Sequence, residues 1–131
     1  MKKKGILNQE LSTVISGMGH RDMLAVVDAG FPIDETTKRV DLALDEGIPG
    51  FVETLKVIDK ELEVEHIYLA EETQENSPYI EKAISEIFNE IPIDTVKHAE
   101  LKKRSQKARA IIRTGEFTPF ANVILVSGVI F

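Results

Sequence analysis

Leu24-Ala25-Val26-Val27 is apolar at every position and stops at Asp28-Ala29-Gly30. A strand with one wet face alternates polar and apolar residues, whereas one without a polar position must be covered on both faces. That is the habit of strands in helix-covered, largely parallel sheets. The polar residues that end the run then sit at the carboxyl edge of the sheet, where open α/β folds bind ligands. The chain's other segments have to supply the helices and strands of such a fold.

They do so in alternation. Asn8 is a good N-cap, and Leu11, Val14, Ile15 and Met18 recur at helical spacing, with Gly17 and Gly19 weakening the end. Val40, Leu42 and Leu44 alternate with Asp41, Ala43 and Asp45, predicting a half-exposed strand closed by Gly47-Ile48-Pro49-Gly50. Phe51, Val52, Leu55 and Ile58 give a second core-facing helix with Pro49 in its first turn. Val64–Ala70 reads as a strand and is followed by a polar loop. Ser77-Pro78 opens a helix carrying Ile80, Ala83, Ile84, Ile87 and Phe88. A strand over Ile91–Val96, a basic helix over His98–Gln106, a strand over Ala110–Arg113 and one or two strands over Val123–Phe131 complete the pattern. The expected fold is a three-layer α/β/α sandwich with a largely parallel sheet, formed as a single domain over residues 1–131.

Composition narrows the functions. Sixteen Lys and Arg against 22 Asp and Glu give a net charge of −6, with the signs interspersed, which argues against a nucleic-acid-binding face. There is no cysteine and the 3 histidines are far apart in sequence, so neither disulfides nor a spaced metal site is expected. Met1-Lys2-Lys3-Lys4 resembles the start of a secretion signal, but Asn8, Gln9 and Glu10 interrupt the apolar core that should follow. No apolar run is long enough to span a membrane. The expectation is a cytoplasmic protein without a metal or other cofactor.

Two places offer acid/base chemistry. His20 follows the first helix in a turn bracketed by Gly19, and the chain can fold back to bring its imidazole near Asp28; imidazole titrates close to neutral pH. The plainer alternative is that His20 only ends a helix, where a cation suits the dipole, and that Asp28 only opens a turn. His98 and Lys102 are one helical turn apart and share a face. Lys102 reads equally well as part of a solvated basic face with Lys103 and Arg104. His66 lies within a strand with no partner in view and is assigned to structure. Arg113 and Glu116 are expected to pair and shape the Gly115 turn.

Lys4-Gly5-Ile6-Leu7-Asn8, Gly19-His20, Asp28-Ala29-Gly30 and Arg113-Thr114-Gly115-Glu116-Phe117-Thr118-Pro119-Phe120-Ala121-Asn122 together resemble the D-ribose pyranase and L-fucose mutarotase family, most of all its ribose branch. The resemblance covers the whole chain. It implies an isomerase that interconverts the pyranose and furanose forms of ribose by opening and reclosing a cyclic hemiacetal. His20 fits the acid/base role in that chemistry, and Asp28 can orient the imidazole or hold a hydroxyl. The resemblance also puts His98 and the Phe120-Ala121-Asn122 stretch in the sugar site, with Lys102 beside them. The family commonly has tyrosine where this chain has Phe120, so a hydroxyl is missing here. It further implies a homo-oligomer, a pentameric ring or a decamer, with the sugar in a cleft between subunits.

Competing readings are an L-fucose mutarotase, a non-catalytic sugar-binding module, and a hydrolase or phosphotransferase using Asp28 as nucleophile. The last lacks a second acid two residues after Asp28 and any glycine-rich phosphate loop.

Overall fold

A computed structural model gives the conformation of residues 1–131. Asn8 caps α1 (Gln9–Ser16), its side chain accepting the Leu11 N–H at 2.9 Å, and Leu11, Val14 and Ile15 form the buried stripe. The chain continues through β1 (Met23–Val27), β2 (Arg39–Asp41), α2 (Phe51–Asp59), β3 (Val64–Ala70), α3 (Glu71–Asn76) and α4 (Pro78–Ile87). It closes with β4 (Ile93–Val96), α5 (His98–Ser105), β5 (Ala110–Arg113) and β6 (Val123–Ser127).

The strands form a 6-stranded sheet in the order β2-β5-β1-β6-β3-β4. β5 pairs in parallel with β2 and β1, and β3 in parallel with β4. Only β6 is reversed, antiparallel to both of its neighbours, β1 and β3. The sheet is therefore largely parallel, with one strand entering from the opposite edge.

Side chains sort by the two-residue period of a strand. Leu24, Val26, Ala110, Ile112, Val123, Leu125, Ile67 and Leu69 face a core of 22 residues shared with α1, α2 and α4. Ala25, Val27, Ile111, Ile124 and Ala70 face the other way, against Leu101 of α5 and Phe31. Both faces are thus covered, as the apolar run in β1 required, but one far more thickly than the other.

Pro49 lies just before the Gly50 N-cap and not in the first turn of α2, and β4 and α5 are shorter than the sequence reading by one or two residues; three further differences have a visible cause. β2 ends at Asp41, because the chain turns: the Leu44 N–H donates to the Ile48 carbonyl at 2.8 Å, and Leu44 is 82% exposed. β6 ends at Ser127, opposite Val64 where β3 begins, so Val129–Phe131 have no neighbouring strand to pair with. The polar segment after Ala70 is the short helix α3, with Glu71 and Glu72 in its first turn, where carboxylates suit the helix dipole.

Gly115 ties two of these loops together. Its N–H donates to the Pro49 carbonyl at 2.9 Å, and a Cβ there would collide with the Asp45 carbonyl oxygen and lie 2.6 Å from the Ile48 oxygen. Those atoms are backbone and cannot rotate aside. Gly115→Ala should therefore destabilise the fold by about 1–3 kcal/mol through overpacking, read as a lower urea midpoint. Gly19→Ala, whose nearest clash candidate is 3.8 Å away, should change it much less.

Candidate functional site

The carboxyl ends of β1, β3, β4 and β5 share one edge of the sheet with the entry to β6. That edge gathers Asp28, Glu72, His98, Glu116, Phe120 and Asn122. Asp28 and Asn122 are bonded twice: the Asp28 N–H donates to Asn122 Oδ1 at 2.9 Å, and Asn122 Nδ2 donates to Asp28 Oδ2 at 2.8 Å. The Gly30 N–H holds Asp28 Oδ1 at 3.0 Å. Asn122 is 1% exposed, so its amide is largely committed to fixing Asp28, leaving one N–H for other use.

His98 is the first residue of α5. Its N–H donates to Glu72 Oε2 at 2.8 Å. Its ring meets Phe120 and Phe31 edge to face, with centroids 5.0 and 6.1 Å away. Nδ1 is buried without a hydrogen-bond partner. Burial pushes the His98 imidazole below its ordinary pKa and the Lys102 charge lowers it further, while the Glu72 and Asp28 carboxylates oppose them without winning. The balance favours the neutral form of the His98 ring. The Glu72 carboxyl lies below the usual carboxylate range, held first by its own backbone N–H, against burial, and also by the His98 N–H.

Phe120 stands in the left-handed region at φ 62°, where a bulky residue is strained. Buried hydroxyls hold the segment there: Thr73 donates to the Phe120 carbonyl at 2.8 Å and Ser77 to the Pro119 carbonyl at 2.9 Å. The helix pair α3 and α4 thereby fixes the ring that lies against His98. Ala121 is fully buried and supplies shape, not a side-chain polar group.

Arg113 and Glu116 do not pair with each other, which corrects the sequence reading. Arg113 donates to both Asp41 oxygens at 3.0 and 3.1 Å and to the Ala29 carbonyl at 3.0 Å. Glu116 accepts the Phe51 N–H at the start of α2, 3.1 Å away, and the Thr118 hydroxyl at 2.8 Å. Burial is the largest influence on the Glu116 pKa and raises it, but the hydrogen bonds from Phe51, Thr118 and Phe117 together leave it lowered. Arg113, Glu116 and Thr118 line a cleft of about 400 Å³ with Asp28 and Gly30.

His20 is elsewhere. It precedes β1 whereas Asp28 follows it, so the strand itself, with a rise of roughly 3.3 Å per residue, keeps them at opposite edges of the sheet. The fold-back that would join them within one chain does not occur. His20 instead meets Glu65, with Nε2 2.9 Å from Oε2. His66 lies on the α5 side of the sheet, its Nε2 3.1 Å from Asp94 Oδ2 and its ring edge-on to Tyr68. The parallel neighbour β4 thus sets a carboxylate beside the ring, but not in hydrogen-bonding geometry, and the buried Nε2 has no hydrogen-bond partner. Glu72, Thr73, Phe31 and Glu65 are not singled out by sequence, and Ser77 only as the opener of a helix; the acidic pair directly after a buried strand is the one available signal for α3.

Residues 1–130 match the model of the RbsD / FucU transport protein family. The chain belongs to this family. Among RbsD / FucU members, the D-ribose pyranase of Clostridium perfringens (strain SM101 / Type A) is 51% identical over 131 residues, covering all of both chains. The D-ribose pyranase of Lactobacillus acidophilus is 48% identical with the same coverage. Bacillus subtilis RbsD, solved in complex with D-ribose, superposes with a TM-score of 0.96 at 40% identity, covering 100% of both chains. The fucose mutarotase of Streptococcus pneumoniae, solved with L-fucose, shares the fold at a TM-score of 0.82 and 23% identity, covering 95% of each chain.

Two outcomes follow from the site's geometry. Lys102→Gln removes a like charge and should raise the His98 pKa toward its ordinary value of 6.5, read from the ring-proton NMR titration. Because folded His98 takes up its proton less readily than the unfolded chain does, its contribution to stability is full above about 6.5 and declines as pH falls toward the folded pKa. Asn122→Ala strips Asp28 of two hydrogen bonds and should destabilise the protein by about 1–3 kcal/mol, with the urea midpoint as the measure.

Proposed function

We propose that this chain is a D-ribose pyranase, an isomerase that interconverts the pyranose and furanose forms of ribose. The observation that carries the reading is the end-to-end likeness to D-ribose pyranases, 51% identical over 131 residues, with a TM-score of 0.96 to RbsD bound to D-ribose. Ribose is favoured over L-fucose because the fucose mutarotase likeness is at 23% identity.

The reaction is proton traffic. On opening, the bond from the anomeric carbon to the ring oxygen breaks, a base takes the anomeric hydroxyl proton, and an acid protonates the ring oxygen. After bond rotation a different hydroxyl adds to the aldehyde and both transfers reverse. These steps need no metal, nucleotide or redox group. In this reading His20 moves the protons, while Asp28 and the neutral His98 hold sugar hydroxyls. Phe120 offers an aromatic wall, Ala121 and Asn122 shape and brace it, and Lys102 lies at its margin. Positioned proton transfer contributes about 10²–10⁴-fold.

A single chain cannot bring His20 to Asp28, so the proposed working unit is a homo-oligomer in which one subunit's His20 faces the Asp28 and His98 edge of its neighbour. Exposed apolar groups beside His20 support this: Val129 and Ile130 are 41% and 87% exposed and share a cleft with Met18 and His20. Five or ten subunits is the assembly that the family resemblance implies. The proposed location is the cytoplasm; no helix is long and apolar enough to cross a membrane.

NMR exchange spectroscopy with ribose and with L-fucose tests the reading. Ribose exchange should be faster than in buffer with no metal or nucleotide added, and an unaccelerated rate with folded protein would overturn it in favour of a sugar-binding module. His20→Ala should lose about 10²–10⁴-fold of the rate, whereas His66→Ala should stay near wild type. Mixing inactive His20→Ala with inactive His98→Ala subunits under exchange should regenerate activity. A catalytically active monomer in light scattering would refute the shared site.

A further inference from the structure

We propose that Glu65 is the positioning residue for His20, setting which ring nitrogen faces the sugar; this rests on the reading of His20 as the proton-transferring group. Glu65 Oε2 lies 2.9 Å from His20 Nε2, and Arg21 Nε is 3.9 Å from the other oxygen. A carboxylate only accepts, so Nε2 carries hydrogen and Nδ1 is left as the working nitrogen. The two side chains are 49% and 36% exposed. A pair so exposed adds little to stability, but it does fix the tautomer and the ring's orientation.

The backbone is arranged to deliver this carboxylate. In β3, Val64 pairs with Ser127 and His66 with Val126, so Glu65 is an extra residue in a β-bulge. Strict alternation back from Leu69 and Ile67 would point Glu65 into the main core. The bulge lets Val64 enter that core with Ile67 and Leu69 instead, and turns Glu65 out to the open cleft beside Arg21 and His66, a re-aiming of a side chain that bulges commonly perform. Gly128 leaves the room: a Cβ there would lie 3.0 Å from Glu65 Cβ.

His20 is held as firmly from its own side. The Gly19 N–H donates to Asp22 Oδ2 at 2.8 Å. The Arg21 N–H donates to the Ser127 carbonyl, and the Ser127 N–H to the Asp22 carbonyl, both at 2.8 Å. Arg21 sits at φ 66°, a conformation unfavourable for arginine that these bonds sustain. A strained, clamped turn thus presents one imidazole whose Nε2 is already taken. During turnover the unprotonated Nδ1 takes the anomeric hydroxyl proton and delivers it to the ring oxygen as the anomeric bond breaks; on reclosure it takes the proton of the attacking hydroxyl and returns it to the aldehyde oxygen, while Glu65 stays bonded to Nε2–H throughout.

The experiment compares Glu65→Ala, Glu65→Gln and His20→Ala in the full-length protein, each checked for folding by its thermal melt. Ring nitrogen-15 NMR reads the His20 tautomer, and ribose exchange gives kcat and KM. Glu65→Ala should lose the Nε2–H bias and about tenfold or more of kcat, less than His20→Ala loses, with KM nearly unchanged. Glu65→Gln keeps an accepting oxygen and should restore part of both. A folded Glu65→Ala protein with unchanged tautomer would overturn the proposal whatever its rate, and so would an altered tautomer with an unchanged rate. Full activity in His20→Ala would instead overturn the role of His20 itself.

Discussion

Because β6 runs antiparallel between β1 and β3, the chain has to enter it at the edge where β1 and β3 end. The connection from β5 therefore cannot cross the sheet. It stays at one edge and brings Glu116, Thr118, Phe120 and Asn122 beside Asp28, Glu72 and His98. The doubled bond between Asp28 and Asn122, at 2.8 and 2.9 Å, closes that edge. It joins the residue after β1 to the residue before β6, so the site's central carboxylate is fastened to the strand pairing itself.

Around this edge, polar groups are spent on one another before any ligand arrives. Glu116 holds the start of α2 and the Thr118 hydroxyl, Arg113 holds Asp41 and Ala29, and Glu72 holds the start of α5. Thr73 and Ser77 hold the loop that carries the strained Phe120. Such preorganisation lowers the ordering that a ligand would otherwise impose. His98 stands out against it, a ring biased toward its neutral form mainly by burial, with Nδ1 unpartnered.

What the sequence made legible was what is periodic. The buried run in β1, the stripes of α1, α2 and α4 and the strand–helix alternation all report local geometry, and they led to the right layers. The grouping of Asp28 with His98 and Asn122 came from the resemblance to the family and not from the residues' spacing. The distance of His20 from Asp28 depends on which side of a strand each residue lies, and the strand's position between them already spoke against a meeting within one chain. Leu44 looked like a strand residue by alternation and Val129 by its place in the apolar C-terminal stretch, yet Leu44 lies in a turn and Val129 has no strand beside it. Glu65 was invisible because a bulge breaks the very period by which strands are read. Arg113 and Glu116 were close in sequence and opposite in charge, but the parallel neighbour β2 offered Asp41 to one and the start of α2 needed the other.

The two faces of the sheet carry unequal loads. Three helices and 22 buried residues lie on one side, while the other has α5 and a cluster of 7, small alanines among them. On that thinner side Met23, His66, Tyr68 and Val126 border an open cleft of about 510 Å³. Most of the buried apolar side chains thus lie on a face remote from α5. Sequence drift, or a laboratory search for new sugar preference, has its freest ground on the α5 side, where a changed side chain alters the surface without emptying the main core.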